Sequence, residues 1–497
     1  MRPLHLRLFA ASSLLALAAC SPSNNPPADA SNDTGIVSDS MVADSGIVTD
    51  TGVTTDGAVT DTGVTDATAG DSGMPFIPPT PQNLNLAMMG HDRLFGVTYA
   101  PSGHFFAVGT LSDTTEATAD HRTLVVKFLP TGQLDTSFGT GGFATHNMVV
   151  GTNGEVARGI VVQSSGKIVV AATVEAVGAM EARDRNIALA RFNADGTIDN
   201  TFGTMGVVTL DLSVGAVNGT GFTADSMWGL TQDSMGRLIV TGLQRRMGNL
   251  DSDFATVRLD ADGVRDNSFG TMGVHTLDLD NVDQTMRNAT PLADGSIVVA
   301  GYYTLMSVVR PVLFKLTPAG ALDRSFGTNG VYSEVVLNGI TEAYAAALQG
   351  TSFITSGYGR GPAPENIDWL SLRINANGTR DSSYGTMGVG RFDFMGFNDN
   401  ARSLAVLPDE RVLLIGGGRT SESNSDGLVM MLTRNGALDS SFGTNGRRTF
   451  DFGGGSDFFW SVATSPSGSH AAIVGVKSVG TSGMGNDDAV LLLQPVR

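Results

Sequence analysis

Short segments of β-branched and apolar residues, separated by turn signals, recur along residues 81–497. One unit shows the pattern clearly, because four such segments follow one another at residues 159–163, 167–172, 186–192 and 207–212. The turns between them contain Ser-Gly or Asp-Gly pairs, which are typical of β-hairpins. The pattern therefore predicts four short antiparallel strands per unit, which we label a, b, c and d.

The units are internal repeats, and two sequence elements mark them. The motif Gly-x-x-Asp-x-Ser/Thr-Phe/Tyr-Gly-Thr-x-Gly occurs six times, at residues 132–142, 196–206, 263–273, 320–330, 378–388 and 436–446. A small-residue strand, a tight turn and an apolar strand occur seven times, at residues 97–109, 160–172, 230–242, 289–301, 345–357, 404–416 and 462–475. Four antiparallel strands in each repeat of about 60 residues predict an all-β protein, a single seven-bladed β-propeller.

The last repeat is incomplete, because the chain ends at Arg497 after the c strand at residues 488–493. Residues 84–88, followed by Asp92, align with residues 391–395, followed by Asp399. We therefore expect an N-terminal strand to supply the missing d strand of the last blade. This closure would remove the open sheet edge that otherwise invites pairing with other chains.

The run Asn-Ala-Asp-Gly-Thr-Ile-Asp-Asn-Thr-Phe-Gly-Thr-Met-Gly at residues 193–206, with its five sister copies, resembles the delta-60 repeat, a bacterial β-propeller family. The resemblance extends over essentially all of residues 81–497, and it implies the fold but little about activity. Three departures predict irregular blades: a shortened a–b turn around Gly350, Pro408-Asp409-Glu410 in place of a turn with glycine, and Tyr384 in place of phenylalanine.

The repeated motif has a structural interpretation. Its glycine supplies the positive φ of a tight turn, its aspartate accepts backbone N–H bonds in an Asx-type turn, and its aromatic ring plugs the space between blades. The aspartate and aromatic pairs are Asp135 and Phe138, Asp199 and Phe202, Asp266 and Phe269, Asp323 and Phe326, Asp381 and Tyr384, and Asp439 and Phe442. Calcium binding is the alternative, for which only the third copy, with Asp260, Asp262 and Asp266, has three carboxylates close together.

Chain direction predicts two different faces. The a–b and c–d turns emerge on one face, and the b–c and d–a connections, which differ from repeat to repeat, emerge on the other. An acid precedes each a strand on this second face, and together these residues form what we call the acidic ring: Asp92, Glu155, Asp225, Asp283, Glu342, Asp399 and Asp457. Each acid is expected to cap its own strand entry. The alternative is a cation site at the channel mouth, where converging carboxylates would raise one another's pKa.

Aromatic residues follow four of these acids within three positions: Phe95, Trp228, Tyr344 and Trp460. Such rings could stack on sugars, but packing is the interpretation we favour for them.

The N-terminus predicts a membrane-anchored protein. Residues 1–19 have the charge and the short apolar run of a signal peptide, and Leu17-Ala18-Ala19-Cys20 resembles a bacterial lipobox, which implies lipid attachment to Cys20. In that class a serine after the cysteine, here Ser21, implies the outer membrane. An ordinary secretory signal is the alternative. Residues 20–80 are rich in Asp, Thr and Gly with almost no aromatic residues, which predicts a disordered linker rather than a set of calcium loops.

The composition of the chain limits the kinds of partner and chemistry that it can have. The chain has 497 residues, a net charge of -18 and few lysines, so it lacks the basic surface that nucleic acids require. Cys20 is the single cysteine, which excludes an intrachain disulfide. Motifs of metalloproteases, serine hydrolases and nucleotide-binding enzymes are absent from the sequence.

We therefore expect a monomeric, non-enzymatic lipoprotein of the bacterial cell envelope, periplasmic or surface-exposed, that binds a protein or glycan ligand and needs no cofactor. A metal-dependent hydrolase or lyase that uses the acidic ring is the second hypothesis. A passive spacer is the third.

Overall fold

The computed structural model describes residues 81–497, apart from residues 88–89, 117–118, 151–153, 176–184, 214–224, 246–250, 422–423, 454, 479–486 and 497. The predicted signal peptide, Cys20 and the predicted linker lie outside the described residues. Within this part of the chain, no helix is long and apolar enough to cross a membrane.

Twenty-eight strands make up the regular structure of the described chain. In order they are β1 Pro81–Asn83, β2 Asp92–Tyr99, β3 Phe105–Leu111, β4 Arg122–Phe128, β5 Phe143–His146, β6 Val156–Val162, β7 Ile168–Glu175, β8 Arg185–Phe192, β9 Val207–Leu210, β10 Ser226–Gln232, β11 Leu238–Arg245, β12 Ser252–Leu259, β13 Val274–Leu277, β14 Gln284–Pro291, β15 Ile297–Leu305, β16 Val308–Leu316, β17 Val331–Ser333, β18 Ile340–Gln349, β19 Ser352–Arg360, β20 Asp368–Ile374, β21 Val389–Phe392, β22 Asn400–Val406, β23 Val412–Arg419, β24 Ser425–Leu432, β25 Arg447–Phe450, β26 Asp457–Thr464, β27 His470–Ser478 and β28 Asp487–Pro495.

These strands form seven sheets of four, and every pairing is antiparallel. The a strand of each sheet contacts the a strands of both neighbouring sheets, and β26 contacts β2, so the seven a strands form a closed inner circle. The prediction of a seven-bladed propeller is therefore confirmed. In the unit used above, the b strand β7 extends three residues beyond its predicted end, because its ladder with β8 continues into the b–c connection.

The ring closes as predicted, with an N-terminal strand in the last blade. Strand β1 pairs with β28, Pro81 facing Leu492 and Asn83 facing Val490. The closing strand lies at Pro81–Asn83 rather than at the predicted residues 84–88. The physical reason is that the N–H groups of Leu86 and Ala87 donate to the carboxylate of Asp92, at 2.8 and 2.9 Å, and so cannot continue the ladder.

The motif aromatics lie between blades. Phe138 is fully buried in a core cluster that combines the first and second blades. The motif glycine of the next blade fits against it, because a Cβ on Gly196 would lie 2.8 Å from the nitrogen of Gly139 and 3.3 Å from the ring of Phe138. The N–H of Gly139 also donates to the carbonyl of Asp195 at 2.8 Å. This motif turn thus joins two neighbouring blades, and the N–H groups of Gly270, Gly327 and Gly385 make the corresponding bonds in three other copies.

The motif aspartates combine a turn with an ion pair. In Asp199, one carboxylate oxygen accepts from the N–H and the hydroxyl of Thr201, and the other accepts from Arg191 and Lys167, both at 2.7 Å. Cations occupy the same place in the other copies, where the pairs are Asp135 with Lys127, Asp266 with Arg258, Asp323 with Lys315, Asp381 with Arg373 and Asp439 with Arg411. Hydrogen bonds from Lys127 and Ser137 lower the pKa of Asp135 to about 2.

The proposed calcium set of the third motif is not assembled. Asp260 accepts backbone N–H groups of its own turn, Asp262 pairs with Arg191 at 2.8 Å, and Asp266 pairs with Arg258 at 2.8 Å. Each carboxylate therefore serves a different partner.

Two of the three sequence departures change a turn without opening the ring. Blade five has a two-residue a–b turn at Gly350 and Thr351, and Glu410 adopts a φ of 66° where most other a–b turns have glycine. The third departure, Tyr384, is fully buried, and its hydroxyl lies 2.8 Å from that of Ser371.

Candidate functional site

The two faces of the propeller differ in how uniform their connections are. The c–d connections have one length in all six internal copies, at residues 129–142, 193–206, 260–273, 317–330, 375–388 and 433–446. The b–c connections vary from residues 306–307 to residues 112–121. We call the face with the b–c and d–a connections the loop face.

Glu155 shows what the acidic ring does in the fold. One of its carboxylate oxygens accepts from the N–H and the hydroxyl of Thr123, both at 2.7 Å, in the c strand of the preceding blade. The other accepts from the N–H groups of Met148 and Val149, at 2.9 and 3.3 Å, where the d–a connection begins. The side chain is completely buried. Glu155 thus fastens the connection between two blades.

Five more members of the acidic ring make contacts of the same kind. The donors are Leu86, Ala87 and Ala489 for Asp92, Leu212 and Ser213 for Asp225, Ser252 for Asp283, Phe394 and Arg419 for Asp399, and Phe452 for Asp457. Glu342 is buried beside Arg287. The ring acids therefore point into the crossings between blades.

Burial is the main cause of the high pKa values in the acidic ring. It raises the pKa of Glu155, Asp225, Asp399 and Asp457 to about 7, and it raises the pKa of Asp92. The carboxylates that add to this effect are neighbours of the connections, such as Asp211, Asp393, Asp451 and Asp488, and not other ring members. Mutual raising of pKa values among the ring acids belonged to the cation-site alternative, and the pKa of each of these five is raised chiefly by burial in its own crossing.

These pKa values predict a pH dependence of stability. A carboxyl group with a raised pKa in the folded state holds a proton that the unfolded chain releases, so stability falls as pH rises from about 4 to about 7 and is level above that. The motif aspartates affect stability at lower pH. Because their pKa values are lowered in the folded state, the stability that they contribute is lost only as pH falls below about 4. Three half-buried histidines, His91, His146 and His275, have pKa values that burial lowers, so they add stability as pH rises through about 6 and oppose the decline caused by the acidic ring.

We expect a higher melting temperature at pH 5 than at pH 8, measured by calorimetry. The change Glu155→Gln removes one titrating group, so the difference between the two pH values should shrink. An identical difference in the wild type and the variant would show that Glu155 does not bind this proton.

Two groups of three carboxylates have oxygens within 4.8 Å of one another in the described chain. One contains Asp426, Asp451 and Asp457, and the other Asp251, Asp253 and Asp278. Asp457 is the one acidic-ring member in either group. Among the described residues, therefore, neither group contains two ring acids, although Asp457 has other carboxylates beside it.

A second ring occupies the a strands, and sequence analysis found only part of it. Each a strand has a β-bulge, and the ladder to the b strand skips the same position in every blade. The residues at this position alternate between aromatic and arginine from the first blade to the seventh, and in the fourth blade the ladder also skips Asn288. We call the alternating residues the inner ring: Phe95, Arg158, Trp228, Arg287, Tyr344, Arg402 and Trp460. They lie near the loop-face end of their strands.

The inner ring is continuous. Arg287 lies between two aromatic rings, 3.9 Å from the centroid of Trp228 and 4.0 Å from that of Tyr344. The other contacts are Arg158 over Phe95 at 5.6 Å and over Trp228 at 4.5 Å, Arg402 over Tyr344 at 4.4 Å and over Trp460 at 4.7 Å, and Phe95 against Trp460 at 5.2 Å. An arginine therefore stacks on each of the four aromatics that follow the ring acids.

The sequence analysis did not identify the three arginines of the inner ring, because no single sequence position distinguishes them from other arginines. Their signal exists only in the aligned repeats, where the residue two to four positions after each ring acid is aromatic in one blade and arginine in the next. An arginine next to an aromatic ring in the neighbouring blade forms a cation–π pair, which is stronger when water is excluded.

Comparisons with known proteins agree with this fold. Residues 163–202, 236–269 and 292–326 match the family model described as "Domain of unknown function (DUF5122) beta-propeller". The fold and the repeats define a β-propeller repeat protein. No curated protein matches the sequence.

Several solved structures are similar to this chain at low identity. Polysaccharide lyase Uly1 is 11% identical, with 86% of this chain and 94% of that chain covered and a TM-score of 0.46. Streptogramin B lyase is 11% identical, with 83% and 97% covered and a TM-score of 0.41. Chaetomium thermophilum Sqt1, bound to the N-terminus of the ribosomal protein L10, is 11% identical, with 82% and 98% covered and a TM-score of 0.40.

Proposed function

We propose that this protein is a non-enzymatic binding scaffold of the bacterial cell envelope, and that its loop face takes up a protein or glycan ligand. The observation that supports this most is the contrast between the two faces. The c–d connections have a single length, whereas the b–c connections differ in every described blade. Diverse connections on a rigid scaffold are where binding specificity usually resides.

The N-terminal sequence supports the location. In this proposal a delta-60-type propeller is held at the outer membrane by lipid on Cys20, and residues 20–80 act as its linker. A flexible linker of this length has a root-mean-square reach of about 45 Å. The loop face could then meet ligands at a distance from the membrane.

The anchor is tested by Cys20→Ala. Lipid attachment needs this thiol, so the variant should appear in the soluble fraction of cells whereas the wild type stays with membranes, as measured by fractionation and immunoblotting. Cys20→Ser is a second variant that should behave in the same way. Membrane retention of both variants would contradict the anchor.

The loop face is tested with the soluble Cys20→Ala chain on arrays of purified envelope glycans and envelope proteins. We expect binding to a defined subset of spots. Replacing residues 361–367 by a two-residue turn, as at residues 306–307, should weaken that binding. Met235→Ser, which changes an exposed a–b turn on the opposite face, should leave it unchanged. An array on which no spot binds above background would contradict the binding function and favour a passive spacer.

The second candidate, a metal-dependent hydrolase or lyase, is supported by one observation, the grouping of Asp426, Asp451 and Asp457. Such an enzyme would contain a bound cation and would lose thermal stability with a chelator. A native mass spectrum without a bound ion, together with a melting curve that the chelator leaves unchanged, would contradict this second candidate.

A further inference from the structure

The inner ring gathers hydrogen-bond donors that lack acceptors. Arg287 is only 4% exposed, and its Nη2 donates to the hydroxyl of Tyr302 at 2.8 Å. Its Nε and Nη1 are buried, and neither has a hydrogen-bond acceptor within the described chain. The same holds for the buried Nε1 atoms of Trp228 and Trp460. All four atoms are N–H donors.

Leaving such donors buried and unsatisfied is costly. A guanidinium keeps its charge in proteins and offers only donors, and the indole N–H is likewise a donor alone. Each buried donor without an acceptor costs about 1–3 kcal/mol, and more when it is charged. A ligand that relieves this cost must supply several acceptor atoms and negative charge. A neutral sugar or an apolar group does not combine the two.

Position and access fit a ligand site. Arg158 and Arg287 both stack on Trp228, and Arg287 and Arg402 both stack on Tyr344, so three guanidinium groups follow one another along about half of the circle. Arg158, Trp228 and Trp460 are only half-buried, so solvent reaches the ring. Glu342 is the carboxylate that acts on Arg287.

We propose that the inner ring is an oxyanion-binding site at the loop-face end of the central channel, which takes a sulfate, phosphate or carboxylate group. Guanidinium forks match the geometry of such groups and form charge-assisted hydrogen bonds with them. The group is either a free ion or the charged part of a larger envelope molecule. The site is independent of the loops that the proposed function invokes, so the two proposals can fail separately.

The first experiment measures the shift in melting temperature of the soluble Cys20→Ala chain when sulfate or phosphate replaces chloride at constant ionic strength. An ion that binds the folded state stabilises it in proportion to its occupancy. Sulfate also stabilises proteins by exclusion from their surfaces, so the informative quantity is the difference between variants. We expect a shift in the parent chain and a much smaller one in Arg287→Met and in Trp228→Phe.

The matched control is Arg258→Met. Arg258 is also buried and lies 4.5 Å from the centroid of Phe269, but it is paired with Asp266. This variant should be less stable than the parent chain and should keep the full anion-dependent shift. Trp228→Phe keeps an aromatic ring and removes only the indole donor, so it remains informative if Arg287→Met fails to fold.

Calorimetric titration then separates the two sources of the anion. The probes are inorganic sulfate, inorganic phosphate and an oligosaccharide of galacturonic acid. Binding of the ions alone would identify a free-ion site, and tighter binding of the oligosaccharide would identify a glycan-borne carboxylate. In either case Arg287→Met should weaken affinity about tenfold or more, the expected effect of losing a charge-assisted hydrogen bond. Equal shifts in all variants, or no binding of any probe, would overturn the proposal.

Discussion

Replacing Phe202 by alanine will lower the free energy of unfolding by about 3–5 kcal/mol. The ring is fully buried between the second and third blades. The motif glycine of the next blade approaches it so closely that a Cβ on Gly263 would lie 2.7 Å from its edge. Arg191 stacks on it at 4.7 Å. Truncation therefore leaves a cavity between the two blades, and the backbone cannot move in to fill it.

Denaturant unfolding followed by intrinsic fluorescence measures this effect. Phe202→Leu conserves most of the volume and should cost less, about 1.5 kcal/mol. Met205→Ala is the control in the same turn, because Met205 is 76% exposed and its truncation removes little buried area. If Phe202→Ala unfolds at the same denaturant concentration as Met205→Ala, the aromatic residue does not hold the blades together.

The repeats made the architecture predictable from sequence. Turn residues, such as the glycine at position 196, impose a local backbone conformation, and the alternation of turns and apolar segments sets the strand count. The mismatch between six motifs and seven strand pairs also predicted the closing strand. Its exact position was not predictable, because alignment could not show that Asp92 captures the backbone of Leu86 and Ala87.

The candidate site was less predictable, since it depends on contacts between repeats. The sequence shows that an acid precedes each a strand, but burial and donors from the preceding blade decide that Glu155 fastens a crossing. The ion pairs of the motif aspartates join residues that are distant in sequence, as Lys167 and Asp199 are. The inner ring requires a bulge in every a strand, and a bulge follows from strand pairing rather than from residue type.

Removing the closing strand should open the ring. A chain that starts at His91 lacks β1, and it exposes the backbone N–H and C=O groups of β28 that β1 covers. Asp92 would keep its bond from the N–H of Ala489 at 2.7 Å, but it would lose the donors Leu86 and Ala87. Since Leu84 and Leu86 pack against the core of the first and last blades, their loss adds apolar exposure. We expect a loss of stability of about 3 kcal/mol or more.

An exposed strand edge also favours pairing with a second chain. Light scattering coupled to gel filtration should therefore show dimers or larger species of the chain that starts at His91, and a monomer for the control chain that starts at Pro81. A synthetic peptide of residues 81–90 should restore part of the melting temperature, because it binds the folded state alone. A monomer with an unchanged melting temperature would mean that the ring does not depend on its N-terminal strand.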